Sequence, residues 1–113
     1  MDAMAVLPDA DVQAALAFLP GWGRLVNVIE KTFECPSFAD AIAFVVRIGF
    51  LAEAANHHPD IDIRWRNVRV ALSTHDAGGI TAKDFALAGK ADGLAKQFSP
   101  APAPAAKGRK GKK

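Results

Sequence analysis

The sequence predicts an α+β domain: a four-stranded antiparallel sheet with three helices on one face, in the order α-β-β-α-β-β-α. Three observations lead there. Apolar residues recur at helical spacing in three separate stretches. Two other stretches are rich in β-branched residues and each folds back on itself at a turn. The second and third helical stretches each begin with a hydroxyl residue followed three positions later by an aspartate, Ser37 with Asp40 and Thr81 with Asp84, which is a capping-box pattern.

The elements follow in order. Pro8 and Asp9 open the first helix, with Asp9 or Asp11 as the expected cap. Val12, Leu16 and Leu19 form its apolar stripe, and Pro20 with Gly21 stops it. Residues 24–34 read as two short strands that turn near Asn27. In the second of them, Ile29, Lys31 and Phe33 share a face. Pro36 and Ser37 mark the next break, and a helix is expected over 38–56. Phe38, Ile42, Val45, Gly49 and Ala52 lie on one of its faces; Phe44, Ile48, Leu51 and Ala55 lie on another. A helix apolar on two sides must be covered on two sides. The sheet supplies one cover and a second subunit is the candidate for the other.

Pro59 ends that helix, because the residue before proline avoids the helical region. Ile61, Ile63 and Trp65 then occupy odd positions, while Val68, Val70 and Leu72 occupy even ones. The parity switch places a tight turn at Arg66 and Asn67 and a core-facing or half-buried Trp65. Ala77, Gly78 and Gly79 form a flexible loop. The last helix is expected over 82–98. The domain is therefore assigned to residues 1–98. Residues 99–113, SPAPAPAAKGRKGKK, have the composition of a disordered tail.

Charge and cysteine content bound the function. The 113 residues hold 14 basic and 12 acidic side chains. Five of the basic residues fall in 107–113, so the body is mildly acidic. A nucleic-acid surface on the folded domain is not expected. Cys35 is the single cysteine, which fits a reducing compartment. Acidic residues (Asp2, Asp9 and Asp11) and no basic segment open the chain, which argues against a secretory signal. The nearly apolar run 41–52 contains Arg47 and is too short to span a bilayer. A cytoplasmic protein without membrane contact is the expectation.

The three histidines, His57, His58 and His75, all fall at ends of elements. Such positions expose a side chain while a rigid element holds it. Imidazole changes charge near neutrality, so it can both give and take a proton. Glu53 precedes His57 by four residues, one helical turn, and is a candidate to orient an imidazole. Other readings stand beside these. Adjacent histidines before a proline also describe a polar helix end. Glu53 is also a candidate solvated residue, and Asp84 has a capping role. Trp22, after Pro20 and Gly21, is either a ligand-stacking indole or a hydrophobic staple. A metal site is disfavoured, because adjacent helical residues point about 100° apart. Neither a phosphate-binding glycine loop nor a serine or cysteine nucleophile constellation is found.

The run Glu53, Ala54, Ala55, Asn56, His57, His58, Pro59, Asp60 resembles the signature of the pterin-4a-carbinolamine dehydratases. A second block matches downstream, through the strand over 68–72, Thr74 and His75, the loop of Gly78, Gly79, Ile80 and Thr81, Asp84, and Leu87 with Ala88. Trp22 and the stretch of Ser37, Phe38, Ala41 and Phe44 are also similar. The hairpin near Asn27 is shorter than is usual in the family, and residues 99–113 are extra.

This resemblance implies a hydro-lyase that dehydrates 4a-hydroxytetrahydropterin, as 4a-hydroxytetrahydrobiopterin dehydratases do, to quinonoid dihydropterin. That reaction recycles the cofactor of aromatic amino acid hydroxylases. It implies His57, His58 and His75 as catalytic groups, Glu53 and Asp84 as supports, and Pro59, Thr74, Trp22 and Trp65 near the pterin. The reduced pterin is the substrate, and neither a metal nor another cofactor is called for. A homodimer or homotetramer is implied. The alternatives are a non-catalytic assembly or coactivator-like protein on the same fold, or a related enzyme on a molybdopterin or folate-type pterin.

Overall fold

Two hairpins with two-residue turns build the sheet. The computed structural model describes residues 5–98. Strands β1 (Gly23–Leu25) and β2 (Val28–Glu34) pair antiparallel, with Leu25 opposite Val28 across the turn. Strands β3 (Asp60–Arg64) and β4 (Asn67–Leu72) do the same, with Arg64 opposite Asn67. β2 then pairs with β4, so the sheet order is β1-β2-β4-β3. The second turn is made by Trp65 and Arg66, one residue earlier than the sequence suggested. Trp65 takes a left-handed conformation there (φ 56°) and is 66% exposed, stacked on the Arg66 guanidinium, instead of core-facing.

Register decides which face is covered. Ile29 sits opposite Leu72, and Phe33 opposite Val68. Ile61 and Ile63 flank Val70 and Val68. Paired residues share a face, so these side chains form one apolar surface under the helices. The open face carries Glu30 paired with Arg69, and Asp62 with Arg64.

The three helices supply the cover. Helix α1 (Asp9–Leu16) contributes buried Val12. Neither Asp9 nor Asp11 caps it: Pro8 occupies the cap position without a side-chain hydrogen bond, and Asp9 instead meets Arg24 at 2.8 Å. Pro8 has no N–H to satisfy and its fixed φ already suits a helix entry. Leu19 lies beyond the helix. Helix α2 (Phe38–Ala55) starts at Ser37, whose Oγ accepts the Asp40 N–H at 3.1 Å. Helix α3 (Ala82–Ala95) starts at Thr81 with both halves of a capping box formed.

α2 points Ala41, Phe44, Ile48 and Ala52 into the core, where each large side chain buried contributes about 2 kcal/mol. Phe33, Phe44 and Phe98 stack edgewise or tilted in sequence. Cys35 lies in this core, and burial first, then the nearby Asp40 charge, pushes its thiol up. The opposite side of α2 leaves Ile42, Val46 and Phe50 exposed at four-residue intervals, with Phe50 72% exposed. No helix among the described residues is long and apolar enough to cross a membrane. The tail assigned to 99–113 lies outside the described residues.

Val26 at the first turn is β-branched and left-handed (φ 55°), a conformation that penalises such side chains. Replacing it by Asn is expected to raise stability by about 1 kcal/mol, read as a higher urea midpoint at unchanged slope.

Candidate functional site

The end of α2 determines where two adjacent histidines go. Asn56 takes a left-handed conformation (φ 50°, ψ 45°). Its N–H donates to the Glu53 carbonyl at 3.2 Å, and the His57 N–H donates to the Ala52 carbonyl at 3.0 Å. These are the two bonds of a Schellman closure, and asparagine is the usual substitute for glycine at its left-handed position. The helix therefore ends before His57. The reversal buries His57 and leaves His58 exposed.

The expected pairing of Glu53 changes as a result. One-turn spacing places Glu53 beside His57 only if the helix continues. With the chain turned at Asn56, Glu53 Oε1 instead meets His58 Nε2 at 3.0 Å, in an exposed pair.

His57 finds a different carboxylate. Asp84, wholly buried, lies 2.5 Å from His57 Nε2 through Oδ1. Its Oδ2 accepts the Thr81 N–H and the Thr74 hydroxyl, each at 2.9 Å. Thr74 and Thr81 hydroxyls are themselves 2.7 Å apart. A carboxylate already receiving two donors on one oxygen is an acceptor on the other, so Nε2–H donates to it. This fixes the tautomer and plane of the ring and leaves Nδ1 for other work. Nδ1 has no hydrogen-bond partner among the described residues. Asp84 thus serves both as the capping residue of α3 and as the anchor of His57.

The loop after β4 brings the third histidine. Thr74 and Gly79 bridge, with the Thr74 N–H donating to the Gly79 carbonyl at 2.9 Å. Gly78 has φ 84°, a conformation glycine adopts freely. His75 and Asp76 project from the tip of this closed loop and are exposed. His57, His58 and His75 line one open cavity of about 240 Å³, together with Asn56, Ser73, Thr74, Asp76 and Lys83.

Other expected site residues lie elsewhere. Trp22 is buried in the core, edge-on to Phe33, and its indole N–H donates to Asp92 at 3.0 Å. Trp65 sits at the β3–β4 turn. Neither lines the histidine cavity. Pro59 is half-buried and is not among the lining residues. Among the described residues, no cluster of three or more His, Cys, Asp or Glu is arranged to hold a metal ion.

Sequence reasoning missed the contributions of Asn56, Thr81 and Lys83. Asn directly after a helical pattern is a left-handed terminator signal, and it was available. Thr81 was legible as a cap but not as part of a buried hydroxyl–carboxylate cluster.

The model of the family "Pterin 4 alpha carbinolamine dehydratase" matches residues 5–94. The chain belongs to the pterin 4 alpha carbinolamine dehydratase family. A protein of Roseiflexus castenholzii named "Putative pterin-4-alpha-carbinolamine dehydratase" is 62% identical over 88 residues, which is 78% of this chain and 95% of that one. A solved structure described as a transcriptional coactivator/pterin dehydratase from Brucella melitensis superimposes with a TM-score of 0.77 at 29% identity, covering 80% of this chain and 98% of that one. A pterin dehydratase-like protein identified as a RuBisCO assembly factor in the alpha-carboxysome gives a TM-score of 0.55 at 25% identity, covering 66% and 86%.

The two carboxylates should differ in structural weight. Asp84→Ala strips a buried imidazole and the α3 cap of their partner and is expected to lower stability by about 3 kcal/mol. Glu53→Gln, at an exposed pair, should change it by no more than about 1 kcal/mol. Urea unfolding of both variants checks this.

Proposed function

We propose that this chain dehydrates a 4a-hydroxytetrahydropterin to the quinonoid dihydropterin, by histidine acid–base catalysis. The observation that carries the reading is the convergence of His57, His58 and His75 on one cavity, with His57 locked by a buried carboxylate. In the reaction the C4a–oxygen bond breaks. One histidine protonates the departing hydroxyl, which leaves as water. The electron pair of a ring nitrogen then forms the new C=N bond, and a second histidine takes the proton released from the ring. One proton is given and one taken, no electrons are exchanged, and the chemistry calls for no redox cofactor. Thr74 and Asp84 would hold His57 in place, and Glu53 would orient His58. A cytoplasmic setting, with a hydroxylase producing the carbinolamine, completes the proposal.

The test is stopped-flow absorbance of a chemically generated 4a-hydroxytetrahydropterin decaying to the quinonoid form. Wild type should accelerate the decay, and His58→Ala and His75→Ala should each lose about 10²-fold, the lower range for removing a general acid or base. Full rate in either variant removes that residue from the chemistry. No acceleration by folded wild type overturns the enzyme reading.

A non-catalytic assembly or coactivator-like role has one observation in its favour, the exposed apolar stripe of Ile42, Val46 and Phe50 on α2. Exposed apolar surface of this kind is often an interaction site. We take its occupant to be a second copy of the chain, giving a homodimer or homotetramer. Phe50→Glu should then lower the mass measured by light scattering. An unchanged mass would discard the stripe as a self-association surface.

A further inference from the structure

Beside the histidine cavity lies a second, smaller one of about 140 Å³, lined by Ala55, His57, Lys83, Ala86, Leu87 and Lys90. His57 and Lys83 line both cavities, so the two adjoin. Ala55 and His57 come from the end of α2, and the remaining residues from one side of α3. Lys83 and Lys90 are seven residues apart. That spacing sets them on one face of the helix, about 10.5 Å apart along its axis. Small Ala86 lies between them and opens the surface.

The charge balance along this track is one-sided. Neither lysine ammonium has an ion-pair partner among the described residues. No aspartate or glutamate stands three or four positions from either on the helix, so neighbouring turns do not neutralise them. The lining of the second cavity contains no acid. Asp84, next to Lys83, is buried with its oxygens already engaged, and Asp92, two residues from Lys90, accepts from Trp22 and Lys31 instead. Asp76 lines the histidine cavity, not the second one. The body of the chain is mildly acidic, so an unopposed pair of cations beside the site is a local feature.

A pterin ring is planar and carries its variable substituent at one edge. With the ring among the three histidines, a substituent leaving past Lys83 would run along α3 toward Lys90. We propose that the carbinolamine this chain acts on bears an anionic side chain, a carboxylate or a phosphate, held by Lys83 and Lys90. The proposal rests on the dehydratase reading and narrows its substrate class from any reduced pterin to an acidic one.

Three chemically generated carbinolamines test it, all with the same ring: one with a methyl substituent, one with a glutamate-bearing side chain, and one with a phosphate ester. The readout is the ratio of kcat/KM for each anionic substrate to that for the methyl compound. Wild type should favour at least one anionic substrate, with the preference in KM, and the preferred anion distinguishes carboxylate from phosphate. Lys83→Gln with Lys90→Gln should reduce that ratio about fivefold to tenfold, as expected for losing two partly exposed ion pairs. Lys90→Glu alone, remote from the histidines, should reduce it as well, and added salt should shrink the wild-type ratio. A wild-type ratio near one, or a ratio insensitive to both lysine variants, overturns the anionic-substrate proposal while leaving the dehydratase intact. Failure to accelerate any of the three carbinolamines overturns both.

Discussion

A single buried carboxylate ties this site together. Asp84 is inaccessible to solvent and holds three segments at once: the start of α3 through the Thr81 N–H, the loop after β4 through the Thr74 hydroxyl, and the turn after α2 through His57. A carboxylate removed from water is expensive unless every lone pair finds a donor. Each of these donors is therefore required by the burial, and each comes from a different segment of chain. If any one segment loosens, the buried carboxylate loses one of its partners. That mutual dependence preorganises His57 more firmly than packing alone.

Much of this was legible in sequence, because local rules and the final fold agree there. Ser37 with Asp40 and Thr81 with Asp84 both start helices as the capping pattern requires. The parity of Ile61 and Ile63 against Val68, Val70 and Leu72 does place both sets on one face. The departures have a common cause. Glu53 was assigned to His57 by helical spacing, but a left-handed Asn56 ends the helix one residue too soon for that spacing to apply. Strand alternation makes Trp65 core-facing or half-buried, but the turn starts at Trp65 itself. A periodic argument holds only inside the element, and one residue of error at a boundary sends a side chain to the opposite side.

Trp22 illustrates a second limit. Its partner Asp92 is 70 residues away in sequence, and Lys31 joins the same carboxylate at 2.9 Å. Nothing local marks an indole as half of such a pair. The composition around Pro20 and Gly21 is compatible with exposure, and the tertiary contact decides otherwise. The His57–Asp84 pair is also non-local, across 27 residues. It was approachable because both residues lie in motifs, although the motifs alone did not say that they touch.

The three histidines also differ in freedom, and the difference follows from the backbone. His57 is buried and locked on Asp84; His58 is exposed and only loosely engaged by Glu53; His75 stands on a loop closed by the Thr74–Gly79 bridge. A reaction that delivers a proton at one point of a planar ring and removes one at another needs groups at separate positions, of which at least one is fixed enough to define the ring's placement. Two adjacent residues on a continuing helix would both have projected from one helix end. The left-handed turn at Asn56 separates them, sending one inward to the carboxylate and the other to the cavity rim. The Schellman closure thus converts a two-residue sequence motif into two chemically distinct positions, and the cavity between them and His75 is the consequence.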